Sequence, residues 1–277
     1  MSDTTSDEPV PAPVDPTKPS IARVYDAFLN GTDHYEVDRE VLRKVRQVAP
    51  EAAELAVENR AFLIRACRFL AARAGITQYL DCGSGLPTAE NTHTVVRRTL
   101  PDARVVYVDN DPTVLAHSRA LLAGEERTWM VDADIFDPEA LLRDGRVRSA
   151  LDWTAPIALL QIGTLHHYTD EALRPRRDLV RAYVDALPSG SYVVISHFLD
   201  PEDEYGATAR KLEQAFLHSM MGSGTFSTRA DLERLFGGLE MVHPGLVPCA
   251  DWWPDTPYHG PRTAGRRCIA GGVARKP

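Results

Sequence analysis

The spacing of apolar residues changes period near residue 76. Before that point it is helical. In "PSIARVYDAFLNG", Ile21, Val24, Tyr25 and Phe28 recur at three and four residues and stop at Asn30-Gly31, a pair suited to a helix carboxyl end. "EVDREVLRKVRQVAP" and "EAAELAVENRAFLIRACRFLAARAG" predict two further helices, the second with a stripe through Leu55, Phe62, Leu63, Ala66, Phe69 and Leu70 and an end at Gly75. After residue 76, short β-rich runs appear at "TQYLDC", "ARVVYVDN", "RTWMVDAD", "APIALLQIG" and "GSYVVISHF". Helical segments near 88–99, 111–122, 137–144 and 174–187 separate them. Such alternation predicts an α/β fold, a parallel sheet with helices on both faces. A helix near 203–220 and another in "STRADLERLFGG", capped by Thr228 with Asp231 three residues on, lead to the late strands "LEMVHPGLVPC" and "RRCIAGGVARK". With no helix expected between them, these strands predict an antiparallel pair at the sheet edge. The expected organisation is a flexible, proline- and acid-rich tail over 1–18, a helical segment over 19–75 and a sheet core over 76–277.

Composition narrows the partners. Formal net charge is −8, so neither nucleic acid nor an anionic membrane is an expected partner. No apolar run reaches the length of a membrane span, and the amino terminus lacks the basic start and apolar core of a secretion signal, which points to the cytoplasm. Cys67, Cys82, Cys249 and Cys268 are far apart with no CxxC pairing, so neither a metal site nor a disulfide framework is expected. The adjacent His166 and His167 diverge as neighbours on one chain and make no metal pair.

Right-handed crossovers bring the carboxyl ends of parallel strands to one edge, and there the sequence is unusual. "LDCGSGLPT" removes side chains at Gly83 and Gly85, where a ligand can lie against backbone, but offers Thr88 where a dinucleotide loop wants a third glycine. Asp109 closes the second strand, where a carboxylate can accept both hydroxyls of a ribose; Asp111, before Pro112, is the better cap for the following helix. Asp134, followed by Ile135 and Phe136, suits an adenine amine and its faces, while Asp137 before Pro138 serves as cap. The fourth strand runs into "LLQIGTLHHYTDE", with polar Gln161 closing an apolar run. Each histidine there is as suited to a structural hydrogen bond as to catalysis.

Together these strand ends resemble the class I S-adenosylmethionine-dependent methyltransferases: "LDCGSG", the acid in "YVDND", the acid in "DADIFD" and "LLQIGTLHHYTDE" in the position of the fourth motif. Over about 19–275 the chain more narrowly resembles the actinobacterial methyltransferase family once catalogued as DUF574. The resemblance implies a Rossmann-like sheet of seven strands, the last antiparallel, with an N-terminal helical lid. It implies S-adenosylmethionine as cofactor, S-adenosylhomocysteine as product, and a cofactor set of Asp81, Cys82, Gly83, Ser84, Gly85, Thr88, Asp109, Asn110, Asp134, Ile135, Gln161 and Ile162. Asp81 and the glycines would lie along the methionine, Asp109 at the ribose, Asp134 and Ile135 at the adenine and Gln161 near the sulfonium. Gln161 replaces the acidic or Asn-Pro-Pro-Tyr element of many N-methyltransferases, which disfavours DNA adenine or glutamine as acceptor; a small molecule is expected. His166, His167 and His197 are candidate bases, with His34 by position. Asn30, Asp33, His34, Tyr35 and Arg60 are candidates for the lid or acceptor pocket, against a solvated loop and a surface cation. Trp252, Trp253 and Tyr258 suggest an aromatic surface or equally a packed loop. A nicotinamide enzyme lacks its third glycine and YxxxK, and GxxxxGK[ST] is absent. The rival from another class is a catalytically silent protein that binds the cofactor as a regulator. The sequence says nothing of oligomeric state.

Overall fold

The computed structural model of the chain describes residues 14–48, 50–87, 90–219, 221–256, 260 and 262–277. Helices α1 (Ile21–Phe28), α2 (Glu36–Val48) and α3 (Ala52–Ala72) come first. Then follow β1 (Gln78–Cys82), α4 (Thr92–Arg97), β2 (Arg104–Asp109), α5 (Pro112–Leu121), β3 (Thr128–Asp132), α6 (Pro138–Arg143), α7 (Gly145–Ala150), β4 (Ala158–Ile162), α8 (Arg176–Ala186) and β5 (Tyr192–Asp200). The chain closes with α9 (Gly206–Leu217), β6 (Ser227–Thr228), α10 (Arg229–Leu235), β7 (Glu240–Met241), β8 (Val247–Pro248), α11 (Ala264–Arg267) and β9 (Ile269–Arg275).

Local chemistry sets the ends as expected. Asn30 takes the left-handed conformation (φ 59°) just after α1. Asp111 and Asp137 accept amide hydrogens at the starts of α5 and α6, each with proline in the first turn. Thr228 and Asp231 form a reciprocal capping box on α10. The helix expected near 137–144 is α6, and a further helix not read from the sequence, α7, follows at once because Asp144 ends the first and caps the next through the Arg146 and Val147 amides. One expectation is corrected. The first late strand is two short pieces, β7 and β8, and a 3-10 turn (Cys249–Asp251) and α11 precede β9. That connection is tied to α3: the buried Arg65 guanidinium donates to the Cys249 and Trp252 carbonyls, and the Trp252 ring meets Phe62 and Phe69 edge-on.

Strand order along the sheet is β3-β2-β1-β4-β5-β9-β7, with β6 beside β5 and β8 beside β9. The strands from β1 to β5 are parallel, and β9 runs antiparallel to β5. Successive residues serve opposite layers. Tyr79, Val105 and Leu160 join the core under α1–α4 and α9, whereas Leu80, Val106 and Leu159 join Leu141, Val147 and Leu179 of α6–α8. Because β1 and β4 are neighbours while their crossovers leave in opposite directions, a crevice opens beyond their carboxyl ends. Among the described residues no helix is long and apolar enough to cross a membrane.

The α1–α2 hairpin is fastened beside this crevice. Buried Arg23 pairs with buried Asp38 (2.8 Å) and donates to Thr113 Oγ1 on α5 (3.0 Å). Asp38 also accepts the Ser20 and Tyr35 amides, at 3.0 and 2.8 Å. The Ser20 hydroxyl donates to Asp111, so the starts of α1 and α5 are joined through one carboxylate.

Candidate functional site

A cavity of about 380 Å³ lies in the crevice. Its floor is made of the loops after β1 (Gly83–Gly85), β2 (Asp109–Asp111), β3 (Asp134–Phe136) and β4 (Gly163, Thr164, His166, His167), and its walls come from α1, α3, α9 and the end of β5. Gly83 is left-handed (φ 77°), and a Cβ there would overlap Thr164 Cγ2 and approach Ile135 Cδ1 to 3.2 Å. Only glycine lets the β1 loop pass this close to the β4 loop. Gly85 is also left-handed (φ 65°) but faces open space, and its amide donates to Asp109 Oδ2 (2.9 Å).

Three carboxylates enter from successive strands. Asp81 is buried and accepts the Thr92 hydroxyl (2.6 Å), and burial pushes its carboxyl up to about 6. Asp109 accepts the Gly85 amide on one oxygen and the Asp111 amide (3.0 Å) on the other, leaving a lone pair on each; enclosure raises its pKa too. Asp134 is exposed and accepts the Phe136 amide (2.8 Å), with Ile135 and Phe136 beside it. Arg60 lines the cavity from α3 and donates to the Glu90 carbonyl (2.5 Å). Buried polar atoms in the lining lack partners: Ser84 Oγ, Thr164 Oγ1 and His166 Nδ1. A ligand with a ribose, an amine and an adenine supplies donors to the three carboxylates and a partner to Ser84 Oγ, so the residues fit a nucleoside-bearing cofactor.

The histidines separate. His197 is buried and uses both nitrogens: Nε2 accepts from Arg176 (3.0 Å), which fixes Nδ1 as donor to the Phe198 carbonyl (2.7 Å). Burial and Arg176 pull its pKa down to about 3. His167 is half-buried, with Nδ1 on Ser223 Oγ (2.9 Å) and a pKa lowered by burial to about 4. His166 stacks on Phe198 (centroids 3.6 Å, interplanar 10°), and burial holds it neutral, well below the usual imidazole range.

The S-adenosyl methyltransferase family model matches residues 7–277 of the chain. The chain belongs to that family. It is 42% identical to a candidate methyltransferase of Thermobifida fusca YX (TM-score 0.88, 94% of this chain and 96% of that one). It is 35% identical to a DUF574 family protein of Streptomyces avermitilis MA-4680 (TM-score 0.86, 94% and 98%). The mitomycin 7-O-methyltransferase MmcR, at 16% identity and TM-score 0.50 over 95% of this chain and 74% of that one, shares the fold. A search among proteins of curated function gave no match. The protein is thus an S-adenosylmethionine-dependent methyltransferase with a Rossmann-like sheet and N-terminal helices.

The methyltransferase brings most of its expected cofactor residues into one cavity: Asp81, Gly83, Ser84, Gly85, Asp109, Asn110, Asp134, Ile135 and Ile162 line it, as do His166, His167 and Arg60. Thr88 and Tyr258 lie outside the described residues. Cys82 and Gln161 do not line it. Strand parity turns both to the α6–α8 layer, where the Cys82 thiol is buried and raised in pKa. His197 is held in the same layer. Of the polar loop after α1, none of Asn30, Asp33, His34 and Tyr35 lines the cavity; Asp26 organises the loop by accepting the Asp33 amide (2.9 Å) and His34 Nδ1 (3.0 Å). Tyr35 instead packs under the Arg23 guanidinium, 4.9 Å from its ring centre. Trp252 is fully buried and Trp253 stacks on it, so this pair packs the connection before β9.

Sequence reasoning missed Tyr25, Asn59, Thr164, Phe198 and Phe216, all of which line the cavity. Ser196 donates to Asn59, Asn59 donates to Tyr25, and Tyr25 donates to the Ala56 carbonyl, a satisfied buried chain from β5 to α1. The available signal was Asn59, one polar residue on an otherwise apolar helix face. Gly83→Ala is expected to destabilise the protein by at least about 2 kcal/mol, from the left-handed backbone and the overlap with Thr164. Chemical denaturation will measure it, and a change below about 0.5 kcal/mol would refute the close approach of the two loops.

Proposed function

We propose that this methyltransferase moves the methyl group of S-adenosylmethionine to a small-molecule acceptor enclosed beneath the N-terminal helices. One observation carries the reading: the loops of four successive parallel strands, three with carboxylates, line a single cavity at the switch in strand order. In this assignment Asp134 takes the adenine amine between Ile135 and Phe136, and Asp109 takes the ribose hydroxyls with its remaining lone pairs. Asp81, Ser84 and Arg60 hold the amine and carboxylate of the methionine part. The bound sulfonium supplies an activated methyl group, so the chain need only align and enclose. The helical segment 19–75 then acts as the lid of the core 76–277: α1 and α3 wall the cavity, and the Ser20–Asp111 and Arg23–Thr113 bonds hold α1 against the ribose loop. His166 and His167 are the imidazoles placed to receive an acceptor proton; both are neutral at physiological pH.

Asp109→Ala is expected to weaken S-adenosylhomocysteine binding by about 1.5–3 kcal/mol, roughly 10- to 150-fold, as charge-assisted bonds to the ribose are lost. Titration calorimetry measures this directly. An unchanged affinity would remove the ribose from Asp109.

A further inference from the structure

The cavity has two chemically different ends. Among the described residues, every charged residue that lines it stands on the cofactor side: Asp81, Asp109, Asp111 and Asp134 at the ends of β1, β2 and β3, and Arg60, which donates to the Glu90 carbonyl beyond them. The opposite end is walled by aromatic and aliphatic side chains, among them Phe28, Phe198, Phe216 and Met221. Its rings are ordered: His166 lies parallel to Phe198 at 3.6 Å, and Phe198 lies parallel to Phe216 at 5.3 Å, each within 10°. Rings stacked on one another leave edges and outer faces to a ligand, which an aromatic ring meets edge-to-face or offset, and an uncharged end offers nothing to replace the water of a charged group.

Two buried polar atoms without partners lie between these ends, where Thr164 meets Gly83 and His166 meets Phe198. Thr164 Oγ1 and His166 Nδ1 belong to the same turn after β4, their residues are 8% and 3% exposed, and both line the cavity. His166 is faced by His167, His197 and Arg176, all of which have partners of their own. With its proton on Nε2, His166 presents an acceptor; Thr164 presents a hydroxyl that can donate. A hydroxyl group offers one donor and one acceptor, which matches this pair.

We infer that the acceptor is an uncharged, flat aromatic molecule carrying a hydroxyl, bound at the Phe198 end with that hydroxyl donating to His166 Nδ1. This rests on the cofactor placement proposed above, which leaves the Phe198 end to the second substrate. The histidine thereby selects acceptors by their hydroxyl, and the uncharged wall excludes anions and cations.

The test uses full-length protein saturated with S-adenosylhomocysteine and three probes in calorimetry: 2-naphthol, 2-methoxynaphthalene and 6-hydroxy-2-naphthoate. 2-Naphthol is expected to bind at least tenfold tighter than either of the others. In His166→Phe, which keeps a ring against Phe198, 2-naphthol and 2-methoxynaphthalene should bind within twofold of each other, with S-adenosylhomocysteine affinity unchanged. Equal binding of the carboxylate, no preference for the hydroxyl in the parent protein, or no naphthalene binding to protein that binds S-adenosylhomocysteine would each overturn the inference. Loss of the preference in the parent is decisive even if His166→Phe does not fold. Failure of the parent to bind S-adenosylhomocysteine would overturn the cofactor placement together with it.

Discussion

Asp38→Ala will cost the protein about 3–5 kcal/mol, the loss expected when one partner of a buried ion pair is removed and the other charge stays behind. Asp38 is fully buried and accepts three hydrogen bonds: the Ser20 amide, the Tyr35 amide and the Arg23 guanidinium. Its removal strands Arg23, which is 3% exposed and then keeps only neutral partners, the Thr113 hydroxyl and the Asp15 and Lys18 carbonyls. Those bonds also hold α1 against the start of α5, so the effect will concentrate in the α1–α2 hairpin. Denaturant unfolding gives the magnitude, and hydrogen exchange should show α1 and α2 losing protection first. A cost below about 1 kcal/mol would mean that the hairpin is held by apolar packing of Val24, Phe28, Val41 and Val45 alone.

Asp81→Asn will stabilise the protein at pH 7.5 by about 3 kcal/mol and weaken its hold on the cofactor. The sign follows from protonation. Burial raises the folded-state carboxyl from 3.8 to about 6, so between those values the folded protein holds a proton that the unfolded chain has released. Stability from this group is therefore complete below pH 3.8 and is lost as pH rises through about 6; a difference of about two pH units corresponds to about 3 kcal/mol. Asparagine never charges, yet its carbonyl can still accept the Thr92 hydroxyl that Asp81 accepts. The gain in unfolding free energy should thus shrink toward nothing as pH falls to 4, and denaturant titrations at pH 4 and 7.5 test it. A variant no more stable than its parent at pH 7.5 would refute the account. A buried carboxylate that costs stability at working pH is the kind of group a binding site retains for function, and S-adenosylhomocysteine affinity should fall at least tenfold in the same variant.

Much of this was legible in the chain. Helical spacing before residue 76 and short β-rich runs after it specify α1–α3 and the five parallel strands, because burial of one face or two leaves its period in the sequence. Caps were readable for the same local reason: Asp111 and Asp137 satisfy amides two or three residues on, which left Asp109 and Asp134 at the strand ends for the cavity. The glycine loop, with the two acids, marked the edge of the sheet at which the cavity lies.

Other assignments needed the folded chain. A strand buried on both faces shows no polar alternation, so nothing in "ALLQI" told which layer Gln161 joins; pairing with β5 turns it away from the cavity while Ile162 faces in. The three histidines looked equivalent until Arg176, 21 residues from His197 in sequence, occupied that imidazole and left His166 with a buried, unpartnered Nδ1 in the cavity lining. The polar loop after α1 read equally as a lid and as a solvated loop; in the folded chain the cavity lining comes from α1 itself, and Asp26 holds the loop through the Asp33 amide and His34 Nδ1. The sequence by itself determined the elements, their alternation and the acids at the strand ends, because each depends on neighbours within a few residues. Only the tertiary structure decided which side chains share the cavity, because that depends on strand parity and on contacts between segments more than a hundred residues apart, such as Asn59 with Ser196.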